Sequence, residues 1–410
     1  MSSSEREFDL VLWGATGFTG RLVAEYLLSR RLEGSLRWAL GGRDRLKLER
    51  VRGELGAGAA EIPLLTGDAA DAASMSELAD RARVVCSTVG PYALYGSELV
   101  RACAERGTHY CDLTGEVHWM QRMIDAHQDR AVASGARIVH TCGFDSIPSD
   151  LGVFALQQAM RERHQVSATR VRCRVAGFSG GASGGTIASM LNMLEEAEGD
   201  RDVRRAMANP YALNPKELRS GPDAESGLAP AWDDDFEQWT APFVMAAINT
   251  RVVRRSNALL GHAYGQDFRY EEAMLMGAGP LGYAKAAAFA AGLAGGMGAA
   301  SIGPLRGLIR RALPSPGEGP DAETRRAGYW DLRFVGEGPR AGQRVALRAT
   351  GDRDPGYGST SKMLGESALC LALDPLDSEP GFSTPAAALG TALIERLERY
   401  AGVHFEIEDD

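Results

Sequence analysis

The chain has 410 residues, 44% of them hydrophobic and 24% charged, so it reads as globular and longer than one hydrophobic core usually supports, with two domains expected. Its formal net charge of −9 removes any electrostatic reason to expect DNA or RNA as a partner. Six cysteines, scattered without a CxxC pair, indicate neither zinc nor a disulfide framework and fit a reducing, intracellular compartment.

The opening stretch, MSSSEREFD, has no positive region followed by an apolar one; it does not read as a secretory signal, and a cytoplasmic protein is expected. Leu10 to Trp13 then form an apolar run of the kind found in a buried parallel strand, and Leu22, Val23, Tyr26 and Leu27 mark the inward face of a helix. Between them stand Gly14, Gly17 and Gly20. Gly14 lets the chain turn off the strand, Gly17 removes a side chain where a pyrophosphate approaches the backbone, and Gly20 lets helix and strand pack closely. The helix N-terminus supplies free N–H groups for the phosphates.

Residues 36–40 are a second strand, whose end faces the adenosine ribose in this type of unit. A carboxylate there would accept from both hydroxyls of NAD, but residues 36–43 contain no acid, and Arg43 stands ready as a donor fork for a 2′-phosphate with Lys47 as helper. NADP(H) is therefore expected. Asp44 either caps the next helix or lowers the local positive potential. Residues 62–65 are a weak third strand, followed by Asp68, which either reaches the adenine edge or caps the helix after it. Residues 83–88 form the fourth strand, at the switch point of a doubly wound sheet, so that Gly90 and Pro91 run beneath the nicotinamide. Residues 109–113 and 137–142 supply a fifth and a sixth strand.

Beyond residue 145 the pattern changes. Residues 169–178 alternate as a strand of an antiparallel sheet, and the glycine-rich bend at 179–186 has the wrong spacing for a second nucleotide loop. Strands are also expected at 252–257, 329–335 and 344–349, the last two as a hairpin or meander. Residues 210–235 and 314–320 read as surface connections. Residues 286–305 carry no formal charge. Their alanine and glycine content predicts a buried or pocket-lining helix rather than a membrane span, with contact to a membrane or an acyl chain as the alternative. The fold class is α/β: a doubly wound Rossmann domain over residues 1–145, a second α/β domain with a mixed or antiparallel sheet over 146–381, and a C-terminal helix over 382–410 packing back on the first domain or the junction.

Four phrases carry a resemblance: Gly14-Ala15-Thr16-Gly17-Phe18-Thr19-Gly20, Val89-Gly90-Pro91-Tyr92, Tyr110-Cys111-Asp112-Leu113-Thr114-Gly115-Glu116, and Gly143-Phe144-Asp145-Ser146-Ile147-Pro148-Ser149-Asp150. Through these the chain resembles the saccharopine dehydrogenase-like oxidoreductases, and more narrowly the actinobacterial trans-acting enoyl reductases that work beside polyketide synthases. The resemblance implies NADP bound by the first domain, with Thr16, Phe18 and Thr19 joining the glycines at the cofactor. It also implies a second domain for substrate and dimerisation, and reduction of a carbon–carbon double bond on a carrier-bound polyketide or fatty acyl intermediate in complex lipid biosynthesis. The partners so implied are the acyl carrier substrate and a synthase, with a homodimer as a further candidate; the uncharged stretch 286–305 adds a peripheral membrane contact as another.

Enoyl reduction needs hydride delivery, stabilisation of an enolate oxygen and a proton at the α-carbon. Tyr92, Asp145 and Ser146 are the candidates for chemistry. Each also has a structural reading: Tyr92 as a cover on the cofactor, Asp145 as a turn anchor, Ser146 as a cap. Glu116 and Asp112 read as structural, and the histidines form no pattern that calls for a metal. Two other functions stay open: a saccharopine-type amino-acid dehydrogenase, for which Arg251, Arg254 and Arg255 offer a carboxylate pocket, and a non-catalytic dinucleotide-binding scaffold.

Overall fold

The computed structural model describes residues 6–30, 32, 36–180, 184–223, 227, 229–312 and 319–408. Parts of the connections expected at 179–186, 210–235 and 314–320 thus lie outside the described residues. The strands are β1 (Phe8–Trp13), β2 (Trp38–Gly42), β3 (Leu64–Thr66), β4 (Ala82–Ser87), β5 (His109–Asp112), β6 (Arg137–Val139), β7 (Arg170–Ser179), β8 (Ala231–Asp233), β9 (Gln238–Pro242), β10 (Arg269–Leu275), β11 (Tyr329–Glu337), β12 (Arg344–Gly351), β13 (Gly381–Ser383) and β14 (Val403–Glu408).

Seven of them form a parallel sheet in the order β13-β6-β5-β4-β1-β2-β3. Leu10 and Leu12 of β1 enter one core and Val11 and Trp13 the core on the opposite face, as a two-residue period requires. Burial on both faces is why this strand reads as a continuous apolar run. The strand order reverses between β1 and β4, so their carboxyl ends open a crevice.

The second sheet runs β14-β12-β11-β7-β10-β9-β8 and is mixed, with β7 and β10 parallel and the other pairs antiparallel. Helix Ile147–His164 packs on one face, where Gly152 and Gly336 leave room for the Phe334 ring and the Leu156 side chain. The other face alternates in charged residues: Arg174 pairs with Asp233 at 2.5 Å and Glu271 at 2.7 Å, and Arg348 with Asp331 at 2.7 Å.

The C-terminal part does not keep to one sheet. Helix Thr360–Leu373 lies against helix Phe18–Ser29 and against β4 and β5, and β13 then extends the first sheet beyond β6. The last strand, β14, pairs with β12 in the second sheet. Residues 360–383 therefore accompany the first sheet, although the sequence pattern groups most of them with the second; a late strand reaching back leaves no local signal. Glu366 fixes this return. Fully buried, its carboxylate accepts from the Tyr26 hydroxyl at 2.6 Å, Arg30 Nε at 2.5 Å and Arg396 Nη1 at 3.1 Å.

Two expected elements differ. Residues 252–257 are not a strand but the core of helix Ala246–Leu259, whose arginines are buried because backbone carbonyls accept from their guanidinium groups. Residues 286–305 do include a helix, Gly279–Ala300, but it is not buried: only Gly282, Ala286, Ala290 and Ala300 are. No described helix is long and apolar enough to cross a membrane.

Candidate functional site

The chain leaves β1 through Gly14 at φ +91°, a conformation that favours glycine. A Cβ at this position would come within 2.7 Å of Thr88 Oγ1 and Val89 Cγ2, so its absence lets β1 and β4 end side by side. At Gly20 a Cβ would overlap the Gly14 carbonyl, which confirms close helix–strand packing as the reason for that glycine. Gly17 is different: it is exposed, and the nearest atom to a Cβ there is the Gly14 oxygen at 3.4 Å, so the protein leaves this side open. Gly17 is the N-cap of helix Phe18–Ser29. No side chain caps it, its first turn carries no acid, and the N–H groups of Phe18 and Thr19 meet no acceptor among the described residues. The next two crossover helices are capped by Asp44 and Asp71. Free donors, the positive end of the helix dipole and an open approach fit a dinucleotide pyrophosphate.

Gly42 at the end of β2 adjoins the glycine turn, since a Cβ on it would lie 3.7 Å from Thr16 Cγ2. Arg43 follows, exposed and without a hydrogen-bond or ion-pair partner among the described residues. Asp44 is turned to its capping role, accepting from Lys47 N at 3.1 Å, and Arg45 is engaged with Glu49 at 2.9 Å. That leaves Arg43 and Lys47 as exposed cations after the end of β2. Asp68 is exposed in the loop after β3 and accepts from Ala70 N at 3.0 Å; the cap of helix Ala72–Arg81 is Asp71, three residues further on. Replacing Arg43 with alanine is expected to weaken NADPH binding about tenfold or more and leave NADH binding within about twofold, because only the charge-assisted contact to the 2′-phosphate is lost. Fluorescence titration with both reduced cofactors checks this, and equal losses for the two contradict it.

At the end of β4, Thr88 Oγ1 donates to the Gly14 carbonyl at 3.1 Å, and the Gly90–Pro91 peptide is cis. Gly90 is exposed and Pro91 half-buried, beside the crevice. Tyr92 turns inward. It is 3% exposed, its ring packs on Trp119 with centroids 5.6 Å apart, and its hydroxyl donates to the Ser87 carbonyl at 3.1 Å. Burial, reinforced by the Asp112 carboxylate, raises the pKa of its phenol. Glu116 accepts from the N–H groups of Tyr92 and Ala93, both at 2.8 Å, and from Ser189 Oγ at 2.8 Å, so it anchors the turn after Pro91. Asp112 accepts from Thr114 N at 3.1 Å and faces His140 Nδ1 at 2.8 Å, joining the ends of β5 and β6. Tyr92→Phe is expected to cost about 1 kcal/mol of stability and leave turnover within about twofold. A melting curve and steady-state rates decide this, and a tenfold loss of kcat would restore a chemical role to the hydroxyl.

The phrase at residues 143–150 separates into two jobs. Ser146 is fully buried and its Oγ donates to Asn249 Oδ1 at 3.0 Å; Asn249 Nδ2 in turn donates to Ser149 Oγ at 3.2 Å and to Glu272 at 2.9 Å. Asp150 accepts from Ser256 Oγ at 2.5 Å and Ala386 N at 2.8 Å. These residues join helix Ile147–His164 to helix Ala246–Leu259, to β10 and to the C-terminal segment, and the Ser146 hydroxyl does not face the crevice. Asp145 does the other job. It is partly exposed, no other described residue donates a hydrogen bond to its carboxylate, and loss of hydration, with a smaller push from Asp112, raises its pKa to about 7.

Residues that the sequence reading passed over complete the surroundings. Thr360 Oγ1 accepts from Phe144 N at 3.0 Å, and a Cβ on Gly143 would sit 3.0 Å from Thr360 Cγ2 and 3.1 Å from Asp145 Oδ2. Asp354 accepts from Tyr357 N at 3.0 Å and Gly358 N at 2.8 Å, holding Tyr357 edge-on to Phe18 with ring centroids 4.8 Å apart. Arg325 lies over the same Phe18 ring at 5.4 Å. Phe18 thus meets the segments that follow β12 and precede β11 instead of standing free in the turn. The available signal was the dense run Asp354-Pro355-Gly356-Tyr357-Gly358 before an apolar helix. Among the described residues, no group of three His, Cys, Asp or Glu side chains is placed to hold a metal ion.

Comparison with known proteins fits this geometry. Residues 10–139 match the family described as the saccharopine dehydrogenase NADP binding domain, so the first sheet is an NADP-binding unit. A putative trans-acting enoyl reductase of Mycobacterium tuberculosis is 47% identical over 425 residues, covering 99% of this chain and 99% of that protein. A trans-acting enoyl reductase of Mycobacterium leprae is 39% identical over 417 residues, covering 97% of each. Among solved structures, the apo saccharopine dehydrogenase (L-Glu forming) of Saccharomyces cerevisiae superposes with a TM-score of 0.53 over 97% of this chain and 99% of that one; at 12% identity it establishes the fold alone.

Proposed function

We propose, from the premise that this chain belongs to the saccharopine dehydrogenase-like oxidoreductases and is an NADP-dependent member of the trans-acting enoyl reductase group, that it reduces the carbon–carbon double bond of an α,β-unsaturated acyl thioester presented on a carrier by a separate synthase. The observation that carries the reading is identity over essentially the whole length of relatives so named, not over the cofactor unit alone. NADPH, when bound, supplies the hydride. The chain's own groups do the rest. Thr16, Gly17, Phe18 and Thr19 hold the pyrophosphate, and Arg43 and Lys47 take the 2′-phosphate. Gly90 and Pro91 line the nicotinamide end, and the half-buried carboxyl of Asp145 holds a proton for the α-carbon.

Asp145 suits that task because a group with a pKa near 7 is largely protonated at slightly acid pH and still gives up its proton readily. Tyr92 serves as packing under the cofactor loop and Ser146 as a tie between helices. The amino-acid alternative loses its main support. Arg251 donates to the Asn209 carbonyl at 2.9 Å, Arg254 to Asp223 at 2.8 Å and Arg255 to the Phe382 carbonyl at 2.6 Å, so these arginines are committed to the fold and form no open carboxylate pocket. Parallel assays of NADPH consumption with enoyl thioesters of varied chain length, and of NADP reduction with saccharopine, test the reading. Consumption with an enoyl thioester alone is expected. Saccharopine oxidation would replace the reading with the amino-acid dehydrogenase, and tight NADPH binding without turnover of any substrate would favour the scaffold.

A further inference from the structure

The most unusual surface on the molecule is helix Gly279–Ala300, which leaves the second sheet at β10 and turns at Ser301 into helix Gly303–Ala312. Near its start, Gly282, Ala286 and Ala290 make one buried stripe. Beyond that the helix stands clear of the fold. From Ala291 to Gly298 every residue is exposed except the half-buried Leu293, and a Cβ added at Gly292, Gly295, Gly296 or Gly298 would meet nothing within 4 Å. Leu281, Tyr283, Phe289, Met297, Ile302 and Leu305 are exposed along this helix and its turn. Arg306 ties the base of the second helix to Glu198 at 2.6 Å.

Two features decide what covers this surface. The first is shape: a second copy or a carrier protein would cover one side of the helix, whereas this segment is apolar and exposed all round, which matches a solvent that closes around it. The second is charge. No Asp or Glu occurs between Glu272 and Glu318, while Lys285, Arg306, Arg310 and Arg311 do, in a chain whose net charge is −9. An ideal helix places Lys285 about 18 Å from Met297, close to the ~15 Å half-thickness of a bilayer's hydrocarbon. Cations at that distance from an apolar tip reach the headgroup layer when the tip enters the acyl chains.

We infer that the helix pair Gly279–Ala300 and Gly303–Ala312 is a peripheral anchor, whose exposed apolar residues around Met297 and Ile302 enter one leaflet of a bilayer bearing anionic lipids while Lys285 lies among the headgroups. The anchor is independent of the cofactor crevice and of the enoyl reductase reading. Its test is flotation of the full chain with phosphatidylcholine vesicles, with and without phosphatidylglycerol. The wild type is expected to float with the mixed vesicles and about tenfold less with phosphatidylcholine alone. The Met297→Asp/Ile302→Asp variant should lose binding to both about tenfold or more, with unchanged NADPH affinity. Lys285→Glu, which leaves the apolar tip intact, should weaken binding to the mixed vesicles only. A wild type that stays in the soluble fraction with both vesicles, or a double variant that floats as the wild type does, overturns the inference. So does a wild-type dimer in sedimentation that the double variant disperses without any vesicle binding, which would assign the surface to a second copy.

Discussion

Replacing Asp145 with asparagine is expected to lower kcat about 10²–10⁴-fold while leaving NADPH affinity within about twofold, the loss that follows when a positioned proton donor is removed. Asparagine keeps the size of the side chain and its place beside Gly143 and Thr360 but has no proton to give. The pH profile separates this role from a structural one. Burial raises the carboxyl from 3.8 to about 7, so the protonated, active form dominates below that value and kcat of the wild type should fall as pH rises through about 7. In the variant the residual rate should lose that limb. Stability moves with the same titration. With a folded value above the unfolded one, Asp145 contributes stability that is fully present below about pH 4 and is lost as pH rises through about 7. The asparagine variant should therefore gain thermal stability relative to the wild type above neutrality, and a wild-type pH profile flat between pH 6 and about 8.5 would remove Asp145 from the chemistry.

Glu366→Ala is expected to destabilise the protein by about 3–5 kcal/mol, the cost of removing one partner from a buried ionic network. Three donors, Tyr26, Arg30 and Arg396, converge on this fully buried carboxylate, and Arg396 retains Asp374 at 2.5 Å when it is gone. The Tyr26 hydroxyl keeps only the more distant Tyr400 carbonyl at 3.3 Å, and Arg30 keeps the Tyr400 ring under its guanidinium at 3.5 Å. Because the network clamps helix Thr360–Leu373 onto helix Phe18–Ser29, the same substitution should loosen the wall that carries Thr360 and lower kcat/KM as well. Urea titration measures the first effect, with Glu366→Gln expected to fall between wild type and alanine. A change below about 1 kcal/mol would mean that the network contributes little net stability.

What the sequence made legible was local. Gly14, Gly17 and Gly20 stand between an apolar run and a helical period, and for Gly14 and Gly20 the structure has the steric reasons that the spacing already implied. The absence of acid between β2 and Arg43 could likewise be read directly. Contacts between distant segments were not legible. Nothing near residue 381 announces a strand that pairs with β6, and nothing near Thr360 announces contact with Phe144. Ser146 and Asp145 are neighbours in one phrase, yet a single residue step sends one side chain into the helix junction and leaves the other partly exposed. At 252–257 the alternation of valine and arginine imitated a strand, because buried carbonyls let arginine occupy the inside of a helix. Residues 286–305 suggested burial through their composition, whereas exposure depends on whether another element covers them, which composition does not encode.

The central claim is that this chain uses NADPH to saturate a carrier-bound enoyl thioester, and intact-mass analysis of a long-chain enoyl-carrier protein incubated with the full-length protein tests it most directly. The account predicts a gain of two hydrogens on the acyl group, dependent on NADPH, weak with NADH, and reduced about 10²–10⁴-fold in rate by Asp145→Asn. An acyl mass that stays unchanged across chain lengths, with NADPH binding demonstrated in the same preparation and an active partner synthase present, would contradict it.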